Sequence, residues 1–114
     1  MRAILINPWT KEITEVFYNG DFNHMYALMS HPLGPKVETF TSGWTWDNGD
    51  TLYVDDEGLL KSGNRLFGLK GLDDALLAGN GLILGEGEVC DAKSMLVEIQ
   101  NIITWNNLII IGGA

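Results

Sequence analysis

Cysteine is almost missing from these 114 residues, and Cys90 is its single instance. A lone thiol forms no intramolecular disulfide, so the chain falls outside the disulfide-stapled secreted class and suits a reducing, cytoplasmic setting. Basic residues are also scarce, with 7 Lys and Arg against 15 Asp and Glu and a formal net charge of −8. Such a field repels phosphate backbones and anionic lipid, and no Lys/Arg cluster offsets it, which argues against direct nucleic-acid binding and membrane-surface binding. Long apolar runs are lacking too. Leu108 to Ile111 is four residues, far below the roughly 20 of a membrane span. Met1 to Pro8 is equally short of a signal-peptide core and is not expected to target the chain. Only 3 prolines interrupt a chain that is 46% hydrophobic, so it is expected to fold as a single domain, 1–114.

What is present reads as an α+β domain: a small antiparallel sheet of five to six strands with two helices packed on its apolar face. Arg2 to Ile6 and Glu12 to Tyr18 are rich in β-branched and aromatic residues, and Asn7-Pro8-Trp9-Thr10-Lys11 between them has turn chemistry, so a hairpin is expected. Asp21 is placed to cap a helix whose Phe22, Met25, Tyr26 and Met29 fall on one face, ending near Ser30 ahead of His31-Pro32. From Val37 to Trp46 the pattern alternates, putting Phe40, Trp44 and Trp46 on one side of a strand. Asn48-Gly49 signals a type I′ turn, and Thr51 to Asp55 and Leu59 to Lys61 complete a three-strand meander. Residues 62–74 read as Gly-rich loop with at most a short strand around Arg65 to Leu69. Ala75 to Leu84 reads as one bulged strand. Asp91 is placed to cap a second helix bearing Met95, Leu96, Ile99, Ile102 and Ile103, with Trp105 on it and Asn106-Asn107 as its stop; Leu108 to Ile111 is a final strand or a buried tail.

Candidate chemistry is sparse. Asp47, Asp50, Asp55, Asp56 and Glu57 place five carboxylates in eleven residues. Their spacing fails the calcium-loop pattern, which needs ligands at alternate positions and a closing Glu, so no metal is expected and solvated hairpin turns account for them. Glycosidase-type acid and base roles need paired carboxylates in a cleft, a condition that exposed turns do not meet. His24 and His31 lack a nearby third ligand for zinc. Glu88 and Asp91 around Cys90 disfavour its thiolate, so an inert cysteine is expected. Gly79 to Gly85 lacks the lysine and spacing of a phosphate loop. No catalytic residues and no cofactor are therefore assigned. Trp9, Trp44, Trp46 and Trp105 exceed the needs of a small core, and tryptophan is enriched at binding hot spots. Trp44 and Trp46, just before the Asn48-Gly49 turn, are the pair chosen for a binding surface, together with Asp47, Asp50, Asp55, Asp56 and Glu57.

The opening Met1 to Pro8, the Asp50-Thr51-Leu52-Tyr53-Val54-Asp55-Asp56-Glu57-Gly58-Leu59-Leu60 segment, Asn64-Arg65 and Leu77-Ala78-Gly79-Asn80-Gly81-Leu82-Ile83-Leu84-Gly85 together resemble a family of small phage- and plasmid-borne proteins known as a domain of unknown function. The central hairpin of that family is similar to VDDEGLL and its later strand to LAGNALVVG. The resemblance covers roughly residues 1 to 88, brings no catalytic residue with it, and implies a mobile-element origin and action in the cytoplasm of an infected bacterium.

These readings lead to a non-catalytic accessory protein that binds a host or viral protein, a basic one by charge. Two alternatives share the features: a sponge for a small nucleotide signal, held by aromatic stacking with Arg65 and Lys70, or an acidic DNA mimic that occupies a host DNA-binding protein. A homo-oligomer is compatible with the Ile-rich tail. The acid is also unevenly spread: residues 37–60 hold six acids and no base, and residues 71–114 hold six acids and Lys93 alone.

Overall fold

A computed structural model describes residues 1–86 and 90–111, with backbone only at 72–75. The N-terminal hairpin forms as the turn chemistry predicts. β1 (Arg2–Asn7) pairs with β2 (Glu12–Phe17) from Arg2 opposite Phe17 to Asn7 opposite Glu12. Asn7 Oδ1 accepts the amides of Trp9 and Thr10 at 3.0 and 3.2 Å, and Lys11 closes the turn in the left-handed region at φ 57°. Helix α1 (Phe22–Met29) also follows expectation: Asp21 accepts from Asn23 N at its start, and Ser30 donates both its amide and its hydroxyl to the Tyr26 carbonyl at its end.

β3 (Phe40–Thr45), β4 (Thr51–Asp55) and β7 (Gly81–Leu84) join the hairpin in a five-stranded antiparallel sheet of order β2-β1-β7-β4-β3. A second antiparallel sheet, of order β6-β5-β8, contains β5 (Arg65–Leu69), β6 (Leu72–Ala78) and β8 (Ile103–Ile109). The α+β class is thus as expected, but the strands divide into two sheets rather than one.

Period-two alternation assigns each face of the larger sheet to its own core. Ile4, Ile6, Leu52, Val54 and Ile83 point to one side, where β5, β8 and the short helix α2 (Leu96–Ile102) cover them with Phe67, Leu69, Ile99 and Ile103. Ala3, Tyr53, Leu82 and Leu84 point to the other, where α1 supplies Met25 and Met29. The molecule therefore has three layers, with the larger sheet in the middle.

Several expectations give way. β3 begins at Phe40, not Val37. Gly58–Leu60 is a 3₁₀ turn instead of a third meander strand. Residues 62–74 are largely a hairpin, because Gly71, at φ 87°, turns β5 directly into β6. Gly79, at φ 81°, ends β6 and sends the chain to the other sheet, so residues 75–84 are two strands. The second helix is capped at Met95 and spans seven residues. Asp91 Oδ1 instead accepts the Arg2 amide at 2.8 Å. The β-branched run Ile102-Ile103-Thr104 converts the end of α2 straight into β8, which pairs Ile103, Thr104 and Trp105 with Leu69, Gly68 and Phe67. Asn106-Asn107 then falls within β8, where the register with β5 shifts and Asn106 Oδ1 accepts the Leu108 amide. Cys90 is exposed, whereas Glu88 and Val89 lie outside the described residues.

The two histidines are placed by contacts within the N-terminal third of the chain. His24 Nδ1 accepts the Asn19 amide at 3.1 Å. His31 stacks on Trp9 with ring centroids 4.4 Å apart and planes 4° from parallel, and Gly34 lies against the same indole, where no Cβ would fit. Burial pushes the His31 imidazole below its ordinary 6.5. The unfolded chain then binds more protons than the native one across that window. This contribution is complete above about pH 6.5 and is lost as pH falls through the lower native value. An NMR titration is expected to show His31 below the ordinary histidine range, and Trp9→Leu to move it back up.

Candidate functional site

The β3–β4 hairpin carries most of the candidate residues, and its geometry depends on two irregularities. The first is a bulge at Gly43: Ser42 pairs with Tyr53, yet Trp44 pairs with Leu52. One extra residue reverses which face the following side chains take. Phe40 therefore packs with Phe22, Tyr26 and Tyr53 on the α1 side, while Trp46 packs against the opposite core. The three aromatics expected on one face are split by this bulge. Glycine suits the position, since a Cβ there would come within 3.2 Å of Leu77.

The second irregularity is the turn. Trp46 N donates to the Asp50 carbonyl at 2.8 Å, closing a three-residue loop in which Gly49 alone is left-handed, at φ 93°. This is the longer hairpin loop with a left-handed glycine, not the type I′ turn expected from Asn48-Gly49.

Together these features set Trp44 and Trp46 side by side along a groove of about 340 Å³, walled by Leu69, Lys70, Gly71 and Ile102. Trp44 is 42% exposed and Trp46 half-buried. Trp46 and Ile102 also form one wall of a second hollow of about 310 Å³, bordered by Asp47, Asn48, Ser94 and Glu98. The two hollows share the Trp46 indole and Ile102. Each is in the size range of a small ligand or of one large side chain of a partner. Lys70 stands at one end, and Asp47 and Glu98 at the other.

The acidic candidates do not form one face. Asp50 is fully buried: its carboxylate accepts the Lys93 amide at 2.9 Å and the Ser94 amide at 2.7 Å. Asn48 Nδ2 adds a bond to Ser94 Oγ at 3.1 Å. Asp50 thus fixes the segment leading into α2, a segment that Arg2 holds from the other side by donating to the Ala92 and Ser94 carbonyls. Asp55 is 6% exposed; it pairs with Lys61 at 2.7 Å and accepts the Glu57 amide at 2.9 Å. Both were expected at solvated turns. Both are instead consumed in holding loops, since a buried carboxylate must be compensated by donors. Asp47, Asp56 and Glu57 remain exposed. They stand at opposite ends of β4, separated by roughly 15 Å at the rise of an extended strand, so only Asp47 borders the tryptophan groove.

Arg65 and Lys70, the cations expected for a nucleotide phosphate, likewise sit at opposite ends of β5, and Arg65 Nη1 points to the Asn107 carbonyl at 3.4 Å. Among the described residues, no group of three or more His, Cys, Asp or Glu is placed to hold a metal ion, and no helix is long and apolar enough to cross a membrane. The groove walls that sequence reasoning missed are Leu69, Ile102 and Glu98. Of these only Ile102 carried a signal, in the apolar spacing of α2, because the fold, not the local pattern, brings β5 and α2 to the hairpin. Comparison with protein-family models, with curated proteins and with solved structures finds no match.

Proposed function

We propose that the protein is a non-catalytic binding module that captures another protein at the Trp44–Trp46 groove. The observation that carries this reading is the indole of Trp46, which with Ile102 lines two largely apolar hollows, one edged by Lys70 and the other by Asp47 and Glu98. The first takes a large aliphatic or aromatic side chain; the second, with Asp47 and Glu98 at its border, takes the aliphatic stem of a neighbouring Lys or Arg and pairs its charge. Aromatic walls bury large area at low conformational cost, and carboxylates at the rim steer a basic partner. The charge of −8 supports the same choice of partner. A host or viral partner inside an infected bacterium is the reading that the resemblance of residues 1 to 88 to phage- and plasmid-borne proteins would imply.

Selection from a random peptide library tests the proposal. The recovered sequences are expected to share one large apolar residue next to a Lys or Arg. Trp44→Ala should weaken their binding at least about tenfold, as for a moderate hot spot. Asp47→Asn should mainly slow association and flatten its salt dependence. Peptides of no common character, or binding indifferent to Trp44→Ala, would remove the groove from consideration. A thermal shift with free nucleotides and none with any peptide would favour the sponge instead.

A further inference from the structure

A second surface, separate from the tryptophan groove, consists of aliphatic side chains with no cover. Leu59 and Leu60 of the 3₁₀ turn are 54% and 74% exposed, and Leu108, Ile109 and Ile111 at the end of β8 are 64%, 42% and 83% exposed. The two groups flank a single residue. Asn64, 2% exposed, donates from Nδ2 to the Gly58 carbonyl at 2.8 Å and accepts the Ile110 amide at 2.9 Å, and Gly63 N donates to the Ile110 carbonyl at 2.7 Å. The 3₁₀ turn and the Ile-rich segment are therefore locked together at one end of the smaller sheet. The sequence that was open between a buried tail and a final strand is paired to β5 by its backbone and exposed by its side chains. Five exposed aliphatic residues in one region approach the several hundred Å² at which apolar patches on monomers become uncommon.

We infer that this patch is the contact between two copies of the chain related by a twofold axis. The argument is electrostatic. Residues 99–111 contain no ionisable side chain in a chain of net charge −8. A twofold interface brings each surface against itself, so a carboxylate near the axis would face its own copy; a charge-free patch is what self-association of an acidic chain requires. Of the two cations beside the patch, Lys61 binds Asp55 at 2.7 Å and the Lys36 carbonyl at 3.0 Å, and Arg65, opposite Ile109, turns Nη1 to the Asn107 carbonyl at 3.4 Å. Asp56 and Glu57, exposed just before Leu59, lie at the rim. The contact forms through side chains rather than by extending the sheet, since the irregular register at Asn106–Leu108 interrupts the edge of β8.

Sedimentation equilibrium on the whole chain, from about 1 to 500 µM, measures the association directly. A monomer–dimer equilibrium is expected, and salt raised from about 0.05 to 0.5 M should tighten it by screening the like net charges and the rim acids. Leu60→Glu and Ile111→Glu, at exposed positions that leave the circular dichroism spectrum unchanged, should each weaken the dimer at least about tenfold. Trp44→Ala should not. A monomer throughout the range, a dimer indifferent to Leu60→Glu and Ile111→Glu, or a monomer that co-floats with phosphatidylcholine vesicles would each overturn the inference. Because the patch and the groove share no residue, loss of the dimer leaves peptide capture by Trp44 and Trp46 intact.

Discussion

Asp50→Ala is expected to destabilise the protein by about 3 kcal/mol, because it strands two backbone donors rather than merely removing a surface charge. The carboxylate is fully buried and takes the amides of Lys93 and Ser94 at 2.9 and 2.7 Å. Bonds to an ionised acceptor contribute more than neutral ones, and a buried amide without a partner bears its full desolvation cost. Asp50→Asn keeps the shape but turns an amide group toward one of the two donors, so its loss should be about half as large. Asp47→Ala, three positions earlier and exposed, should stay within about 0.5 kcal/mol of wild type. Urea unfolding of the three variants separates the cases. Equal midpoints for Asp50→Ala and Asp47→Ala would show that Asp50 does not hold the segment before α2. If it does, Asp50→Ala should also weaken the tryptophan groove, since Ser94 borders its second hollow.

The contrast between Asp47 and Asp50 marks where reading the chain as a string stops. Both belong to one acidic turn, and nothing local distinguishes them. What separates them is a partner more than forty residues away, the Lys93–Ser94 backbone, and that pairing is a product of the fold. Where the determinants are local, the sequence was sufficient. Asp21 and the His31-Pro32 pair bound α1 at both ends, and Asn7 with Pro8 sets the first hairpin. Where a short-range preference competes with a long-range one, it was not. Met95, Leu96, Ile99, Ile102 and Ile103 fit a helix face, yet the last of them pairs with Leu69 of β5, because a β-branched run gains more from an open sheet edge than from another helical turn.

The tryptophan pair was legible for a reason that turned out to be incomplete. Alternation places Trp44 and Trp46 on one face with Phe40, and the bulge at Gly43 moves only the tryptophans to the other. The residue that causes the change is a glycine inside a strand pattern, which is itself a known mark of bulges. The groove therefore follows from a single inserted residue: without it, Trp44 and Trp46 would lie with Phe40 on the α1 side, away from Leu69 and Ile102.

Phe67→Ala should produce the largest loss in the molecule, about 4 kcal/mol, as the ring is fully buried at the centre of the larger core. It is packed over Gly81, where a Cβ would fall 2.9 Å from Phe67 Cζ and 2.8 Å from Leu52 Cδ1. Gly81→Ala alone is accordingly expected to cost about 1 kcal/mol, the crowding outweighing what it gains by restricting the unfolded chain. In the Phe67→Ala background the sign should reverse. With the ring gone, the Leu52 methyl that also crowds this Cβ can swing into the vacated space while the entropic gain persists, so the double variant should be more stable than Phe67→Ala by about 0.5 to 1 kcal/mol. A double-mutant cycle from urea unfolding measures this coupling. Strict additivity of the two losses would mean that the ring and Gly81 do not share that space, and that the smaller sheet is seated on the larger one by contacts other than Phe67.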